Sequence, residues 1–225
     1  QALCSRGSRT RTPSPPPAGQ RMHAWARRGS RRFSAMAGGA AAELPHVRLT
    51  YLDIKGIGEP IRLALHIGGV PFEDRRVGYE AVAAMRASGD LYFGQVPLLE
   101  IGDERYQQSQ AILRWAGKRS GLYPEDLQFR CDEIEEAMAD IRRALLPQWY
   151  GAALGRSPVT GEPMVPLSEE QKAEVARSLN DTVLPVRFAQ LERRLREGGG
   201  PFFCGDRMTI CDLSVYVAVS GILDG

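Results

Sequence analysis

The chain has 225 residues, 43% hydrophobic and 25% charged, an ordinary composition for a chain that buries a real core in one large or two small domains. No apolar run approaches the ~20 residues a membrane helix needs, so no membrane association is expected. Eight arginines and no acid fall in residues 1–42, so the net charge of +2 hides 21 basic and 27 acidic residues over 43–225, a net of −6, with no basic excess for a nucleic-acid backbone.

Residues 1–43 are rich in Arg, Ser, Pro and Ala and carry no periodic apolar face, the composition of a disordered extension. Residues 1–42, acid-free and rich in Arg and Ser, also have the composition of an organelle transit peptide. Gln1 opens the chain, whereas Met36-Ala37-Gly38 reads as a native start, so sequence from outside the reading frame is the rival interpretation. From Val47 the pattern changes. Val47, Leu49 and Tyr51 alternate with Arg48 and Thr50, a half-buried strand. A glycine-containing loop to Gly58 leads to a helix with Pro60 in its first turn and Ile61, Leu65 and Ile67 on its apolar side. Phe72 to Val77 is a second strand, making residues 47–77 a parallel, right-handed β-α-β unit. A weaker stretch, Gly78 to Gly94, is broken by glycine and reads as an irregular helix.

The segment Tyr92 to Trp115 carries the most specific pattern. Val96-Pro97-Leu98-Leu99 is a short apolar strand, Gly102-Asp103 a hairpin turn, and Gln108-Ser109 the junction of a strand and a helix. Proline at a strand's first residue cannot donate to a ladder. A cis Val96-Pro97 bond turns the Val96 backbone outward, leaving its N–H and C=O to pair with something else. Ser109 directs its hydroxyl and the first helical N–H groups toward one anion. An ordinary hairpin followed by a capped helix has the same local pattern.

After Pro124 the strands stop. Glu125 to Leu146 reads as a helix with Ile134, Met138, Ile141 and Leu145 on one stripe, and Gly151 to Pro166 as a loop. Ser168-Glu169-Glu170-Gln171 is a capping box opening a helix to about Glu197, interrupted near Pro185. Thr209 and Asp212 form a second capping pair before an apolar run read as a buried helix. The cysteines, Cys4, Cys131, Cys204 and Cys211, show no C-x-x-C and no Cys/His ligand spacing. They read as small hydrophobes in a reducing compartment, not as disulfides or a zinc site.

Five separated motifs, VRLTYLDIKGIGEPIRLAL, FEDRRV, YFGQVPLLEIG, QQSQAILRW and FFCGDRMTICDLSVY, resemble in order and spacing a cytosolic glutathione transferase of the sigma/mu-like class, over about residues 46–223. The resemblance implies a thioredoxin-like α/β domain at 46–121 that binds glutathione. An all-α domain at 125–225 would carry the electrophile pocket and dimer contacts, C-terminally incomplete relative to family members. It implies a cytoplasmic homodimer active in detoxification. Its substrates would be glutathione and an apolar electrophile, with no nucleic-acid or membrane partner.

By resemblance, Tyr51 is the catalytic tyrosine that stabilises the thiolate of glutathione. Val96 pairs antiparallel with the cysteinyl backbone through the edge that Pro97 exposes, beside Gln95. Gln108 and Ser109 take the γ-glutamyl carboxylate, and Asp140 reaches the γ-glutamyl amine across the dimer interface. Read alone, Tyr51 is a strand-end core residue and Asp140 a solvated helix-face charge. The family's Trp-x-x-x-Lys pair aligns to Val82 and Arg86, so only Arg86 remains as a cation for the glycyl carboxylate. An arginine that some sigma members carry is Ile57 here, as an apolar residue is in mu members. Trp149 and Tyr150 are candidate walls of the electrophile pocket. Acids near Glu136 to Asp140 serve a divalent ion in some members, but Ala139 stands in the middle, and no metal is expected. A non-catalytic binding or structural relative, and a glutathione-dependent isomerase of prostaglandin-like substrates, are the alternatives.

Overall fold

β1, Val47–Leu52, is the strand on which the architecture is built, because its alternation serves two cores at once. Val47 and Leu49 enter a large cluster with Ile61, Leu65, Ile112 and Leu113, while Leu52 packs on a smaller one around Val82, Leu91 and Leu98. The computed structural model describes residues 45–147, 155, 157 and 162–223.

β1 pairs parallel with β2, Glu73–Val77, and antiparallel with β3, Leu98–Ile101. β3 also pairs with β4, Glu104–Gln107, and the sheet order is β2-β1-β3-β4. Gly102, at φ 57, makes the β3–β4 turn. α1, Glu59–Ile67, and α3, Ser109–Ser120, pack together on one face of the sheet. α2, Tyr79–Ala87, supplies Val82 and Met85 to the small cluster on the other. The expected glycine breaks do not interrupt α2. Gly78 is its N-cap, and Gly89, at φ 81, lies just beyond its C-cap Ser88, so the glycines bracket the helix.

Among the described residues, the elements that follow are helical: α4, Gln128–Leu146, after a short 3-10 turn; α5, Glu169–Ser178; α6, Leu184–Glu197; and α7, Ile210–Leu223. The capping box at Ser168 is formed, its hydroxyl accepting from the Gln171 amide and the Gln171 side chain accepting from the Ser168 amide. A π-helical turn over Leu179–Val183 marks the interruption expected near Pro185. Ile134, Met138, Ile141 and Leu145 of α4 are all buried, and burial of each such side chain contributes ~1.5–3 kcal/mol.

α7 differs from the fully buried helix expected. Ile210, Cys211, Leu213 and Val217 face the core, but Tyr216 is 66% exposed, because the neighbours packed on α7, namely α1, α3 and α4, cover one side of it. The Ile210 amide donates to the Leu122 carbonyl, and the Arg114 guanidinium and Tyr123 hydroxyl both donate to Asp132. These bonds tie the end of the α/β layer to α4 and α7, within one compact unit from Leu44 onward. The fold is therefore a thioredoxin-like α/β layer followed by an all-helical one. Among the described residues no helix is long and apolar enough to cross a membrane.

Candidate functional site

Tyr51 sits on β1 facing α1, 6% exposed, under the loop that follows its own strand. The Ile57 amide donates to the Tyr51 hydroxyl oxygen at 3.3 Å. Two glycines let the loop come this close. A Cβ on Gly58 would stand 2.4 Å from Tyr51 Cδ1, and one on Gly56, itself at φ 45, would stand 2.6 Å from the phenolic oxygen.

Arg62 of α1 holds the same loop from beneath. It is 5% exposed, and its guanidinium lies 5.6 Å from the Tyr51 ring centroid, within cation–π range. It donates to the Leu52 and Ile54 carbonyls at 3.3 and 2.9 Å, to Asp74 at 2.9 Å and to Glu59 at 3.1 Å. A planar five-donor fork suits four acceptors in a way that a lysine would not. Arg62 carried no signal in the sequence beyond being a charge amid an apolar helix face.

A groove of ≈ 310 Å³ opens beside Ile57, lined by Ile57, Phe93, Gln95, Val96, Pro97, Gln107, Gln108 and Ser109. The Val96-Pro97 bond is cis. Among the described residues, no other main-chain group bonds the Val96 amide or carbonyl. Opposite this edge α3 begins. Its N-cap Gln108 has φ 78 and makes no side-chain cap hydrogen bond, so the first amides of the helix, which have no intrahelical partner, are left without that cap beside the groove. Gln107, buried at the end of β4, accepts from the Phe93 amide at 3.0 Å through Oε1, while its buried Nε2 has no hydrogen-bond partner. A buried orphan donor lining a groove is costly unless something that enters satisfies it. Gln107 was passed over in the sequence because it reads as an ordinary strand-end residue.

Of the residues singled out in the sequence, Gln95, Val96, Pro97, Gln108 and Ser109 line one groove, and Tyr51 reaches its rim through Ile57. Arg86 does not line it. Its Nε donates to the Gly94 carbonyl at 2.8 Å, bracing the loop that carries Phe93 and Gln95. Asp140 lies on α4, paired with Arg143 and, at 3.5 Å, with Arg187, and is not part of the groove. Trp149 and Tyr150 fall outside the described residues.

Comparisons with known proteins agree with this architecture. Residues 162–225 match the family model for the glutathione S-transferase C-terminal domain. Glutathione S-transferase 1 of Ascaris suum is 33% identical over 174 residues, 76% of this chain and 78% of the relative. The glutathione S-transferase structure from Ascaris lumbricoides superposes with a TM-score of 0.65 at 29% identity, over 80% of this chain and 82% of that one. A structure described as prostaglandin synthase D of Nilaparvata lugens gives 0.67 at 25% identity, again over 80% and 82%. The fold and the matched relatives define an enzyme, a transferase with a thioredoxin-like domain followed by a helical one. The chain belongs to the glutathione S-transferase family.

Proposed function

We propose that the protein conjugates the thiolate of glutathione to soft electrophilic small molecules, and that Tyr51 is the group that stabilises that thiolate. The observation that carries this is the convergence on one groove of the Tyr51 loop, the Val96 main chain and the uncapped start of α3. A free thiol near pKa ~8.5 is only a few per cent ionised at neutral pH, and the thiolate is the nucleophile. Lowering that pKa by about two units takes roughly 2.7 kcal/mol of preferential thiolate stabilisation, the size of one hydrogen bond to a charged acceptor. The Ile57 amide donating to the phenolic oxygen polarises the hydroxyl and makes it a better donor. The sulfur lone pair then forms the new bond to the electrophilic carbon, whose leaving group departs with its electron pair. Rate comes from a ready, oriented thiolate and not from a protein nucleophile.

In this reading Val96 pairs with the cysteinyl backbone beside Gln95 and Pro97, and Gln108 and Ser109 take the γ-glutamyl carboxylate at the mouth of α3. Arg86 offers the cation for the glycyl carboxylate, and Asp140 reaches the γ-glutamyl amine of the partner in a homodimer. Trp149 and Tyr150 wall an apolar electrophile pocket within a helical domain bounded at 125–225, following the glutathione-binding domain at 46–121. The setting is cytoplasmic and the role detoxification. A second reading, isomerisation of a prostaglandin-like substrate with glutathione, is favoured by the Nilaparvata lugens neighbour described as a prostaglandin synthase.

The test is conjugation of glutathione to chlorodinitrobenzene by wild type and by Tyr51→Phe. The variant is expected to bind glutathione with nearly unchanged affinity. Its kcat should fall about 100-fold, as the apparent pKa of the bound thiol returns toward its free value. A variant that ionises bound glutathione as readily as wild type overturns the assignment to Tyr51. Retention on immobilised glutathione with no turnover by the wild type would overturn the catalytic reading itself.

A further inference from the structure

We infer that Cys131, Cys204 and Cys211 form a binding site for one thiophilic d10 cation held by three sulfurs, with copper(I) as the ion whose preferences they match. Residues 73 and 7 positions apart meet here. Cys131 lies in the first turn of α4, Cys211 is the second residue of α7, and Cys204 sits in the tight turn closed by the Phe202–Gly205 and Cys204–Arg207 bridges. No sulfur is in a disulfide. All three Sγ atoms lie within 4.8 Å of one another, and Cys131 and Cys204 are 3.8 Å apart.

That spacing is metal-like. Two sulfurs at ~2.3 Å from a shared ion stand ~3.8 Å apart in tetrahedral and ~4 Å apart in trigonal geometry. The set is therefore within about one ångström of closing on an ion, a movement that small side-chain rotations supply.

The donor set also selects the ion. All three donors are soft. Two oxygen donors lie beside them and are engaged with each other: the Thr209 hydroxyl, 3.2 Å from Cys211 Sγ and 3.7 Å from Cys204 Sγ, donates to Asp212, whose Oδ2 also accepts from the Thr209 amide and whose Oδ1 accepts from the Phe203 amide. Zinc in a structural site takes four protein ligands, whereas three thiolates that no carboxylate or imidazole of the described residues joins suit copper(I). Cys131 and Cys211 are fully buried and Cys204 is partly exposed, so an ion enters beside Cys204 and loses its water inside. Each thiol that binds releases its proton to solvent, and copper stays in the +1 state throughout. None of the three residues lines the glutathione groove. The sequence carries no hint of the site, because its ligands share no local spacing.

The experiment titrates the 225-residue chain, carrying Cys4→Ser to remove its remaining thiol, with chelator-buffered copper(I) under anaerobic, glutathione-free conditions. One copper per chain is expected to resist the chelator, with an ultraviolet thiolate-to-copper band, three sulfur neighbours by X-ray absorption and release of protons. Adding Cys204→Ser, the partly exposed member, should weaken binding at least ~100-fold, since losing a mere outer-shell partner already costs 10–100-fold. Its copper-free circular dichroism and melting temperature should stay near the parent's, which separates loss of a ligand from loss of the fold. Should Cys131→Ser or Cys211→Ser fail to fold, Cys204→Ser decides alone. No retained copper in the parent, or equal retention after Cys204→Ser, overturns the site and leaves three cysteines that merely pack.

Discussion

Two helix N-termini in this protein are built in opposite ways. At α7 the Thr209, Ile210 and Asp212 amides are answered from within, by Asp212 at 2.8 Å, the Leu122 carbonyl at 2.9 Å and the Thr209 carbonyl at 3.1 Å, and Asp212 also accepts from the Thr209 hydroxyl at 2.9 Å and the Phe203 amide at 2.9 Å. At α3 the N-cap is Gln108, in a positive-φ conformation, with no side-chain cap, and the helix opens onto the groove. The same four orphan amides exist at both ends. One set is spent on holding the helical layer together, and the other is left for an incoming anion. The difference separates residues whose loss should cost stability from residues whose loss should cost binding.

The largest expected effect lies under the groove, where both roles meet. Arg62→Met keeps the length and apolar stem of the side chain but removes every donor. Asp74 and Glu59 lose a buried cation, and the Leu52 and Ile54 carbonyls lose their partner. Breaking a buried ion pair by removing one member costs ~3–5 kcal/mol. We expect a lowered denaturant midpoint, and weakened thiol ionisation as well, because the loop over Tyr51 is no longer held. If stability falls while the pKa of bound glutathione stays put, Arg62 supports the fold only.

Asp212→Ala should come next, at ~2–4 kcal/mol, from loss of a helix cap and of partners for the buried Thr209 and Phe203 groups. Chemical denaturation reads the loss. In the protein that remains folded, glutathione affinity should be unchanged, since Asp212 is remote from the groove lining. An effect on affinity equal to that on stability would erase the contrast between the two helix starts.

Much of this contrast was legible in the sequence, and what was not has a physical reason. The β1 alternation, the capping box at Ser168 and the Thr209–Asp212 pair are local patterns, and local patterns survive into the structure. Gln95, Val96, Pro97, Gln108 and Ser109 lie close together along the chain, so one strand and one helix start bring them to one groove. Arg62 and Gln107 were opaque because a buried polar residue is recognised by its partners, and those arrive from β1, β2 and the loop at Phe93. The same holds for the three cysteines, and for Glu135, which sits on α4 among residues read as an apolar stripe.

Glu135 sharpens the comparison from the helical side. It is 1% exposed, and neither carboxylate oxygen makes a hydrogen bond. Arg142 stands 3.9 Å away, and Ser214 and Gln110 face it without reaching hydrogen-bond geometry. Burial pushes its carboxyl pKa up, against weaker opposing pulls from Ser214, Arg142, Gln110 and Arg114. A folded pKa above the unfolded one means that the contribution to stability is fully present below the unfolded pKa. It is lost as pH rises through the folded value. Glu135→Gln, which keeps the neutral shape, should therefore match wild type near pH 4 and become more stable than it by ~1–3 kcal/mol toward pH 8. Parallel unfolding midpoints across that range would show that Glu135 is ionised at no cost.

The smallest effect tests the open helix mouth most directly. Ser109 is the first residue of α3 and lies against the groove, so its hydroxyl is not spent on capping the helix. Ser109→Ala should leave stability within ~0.5 kcal/mol of wild type, as for substitutions away from caps and cores. Losing one hydrogen bond to a charged carboxylate is worth ~1.5 kcal/mol, which raises the KM for glutathione about tenfold with kcat nearly unchanged. Much of the remaining affinity for the γ-glutamyl carboxylate would come from the helix amides, and it should weaken further with added salt as the dipole is screened. Glutathione titration by calorimetry at two ionic strengths, beside thermal melts of both proteins, reads these outcomes together. If Ser109→Ala melts as early as Asp212→Ala while binding glutathione like wild type, α3 is capped in the same sense as α7, and its mouth is not where the carboxylate lies.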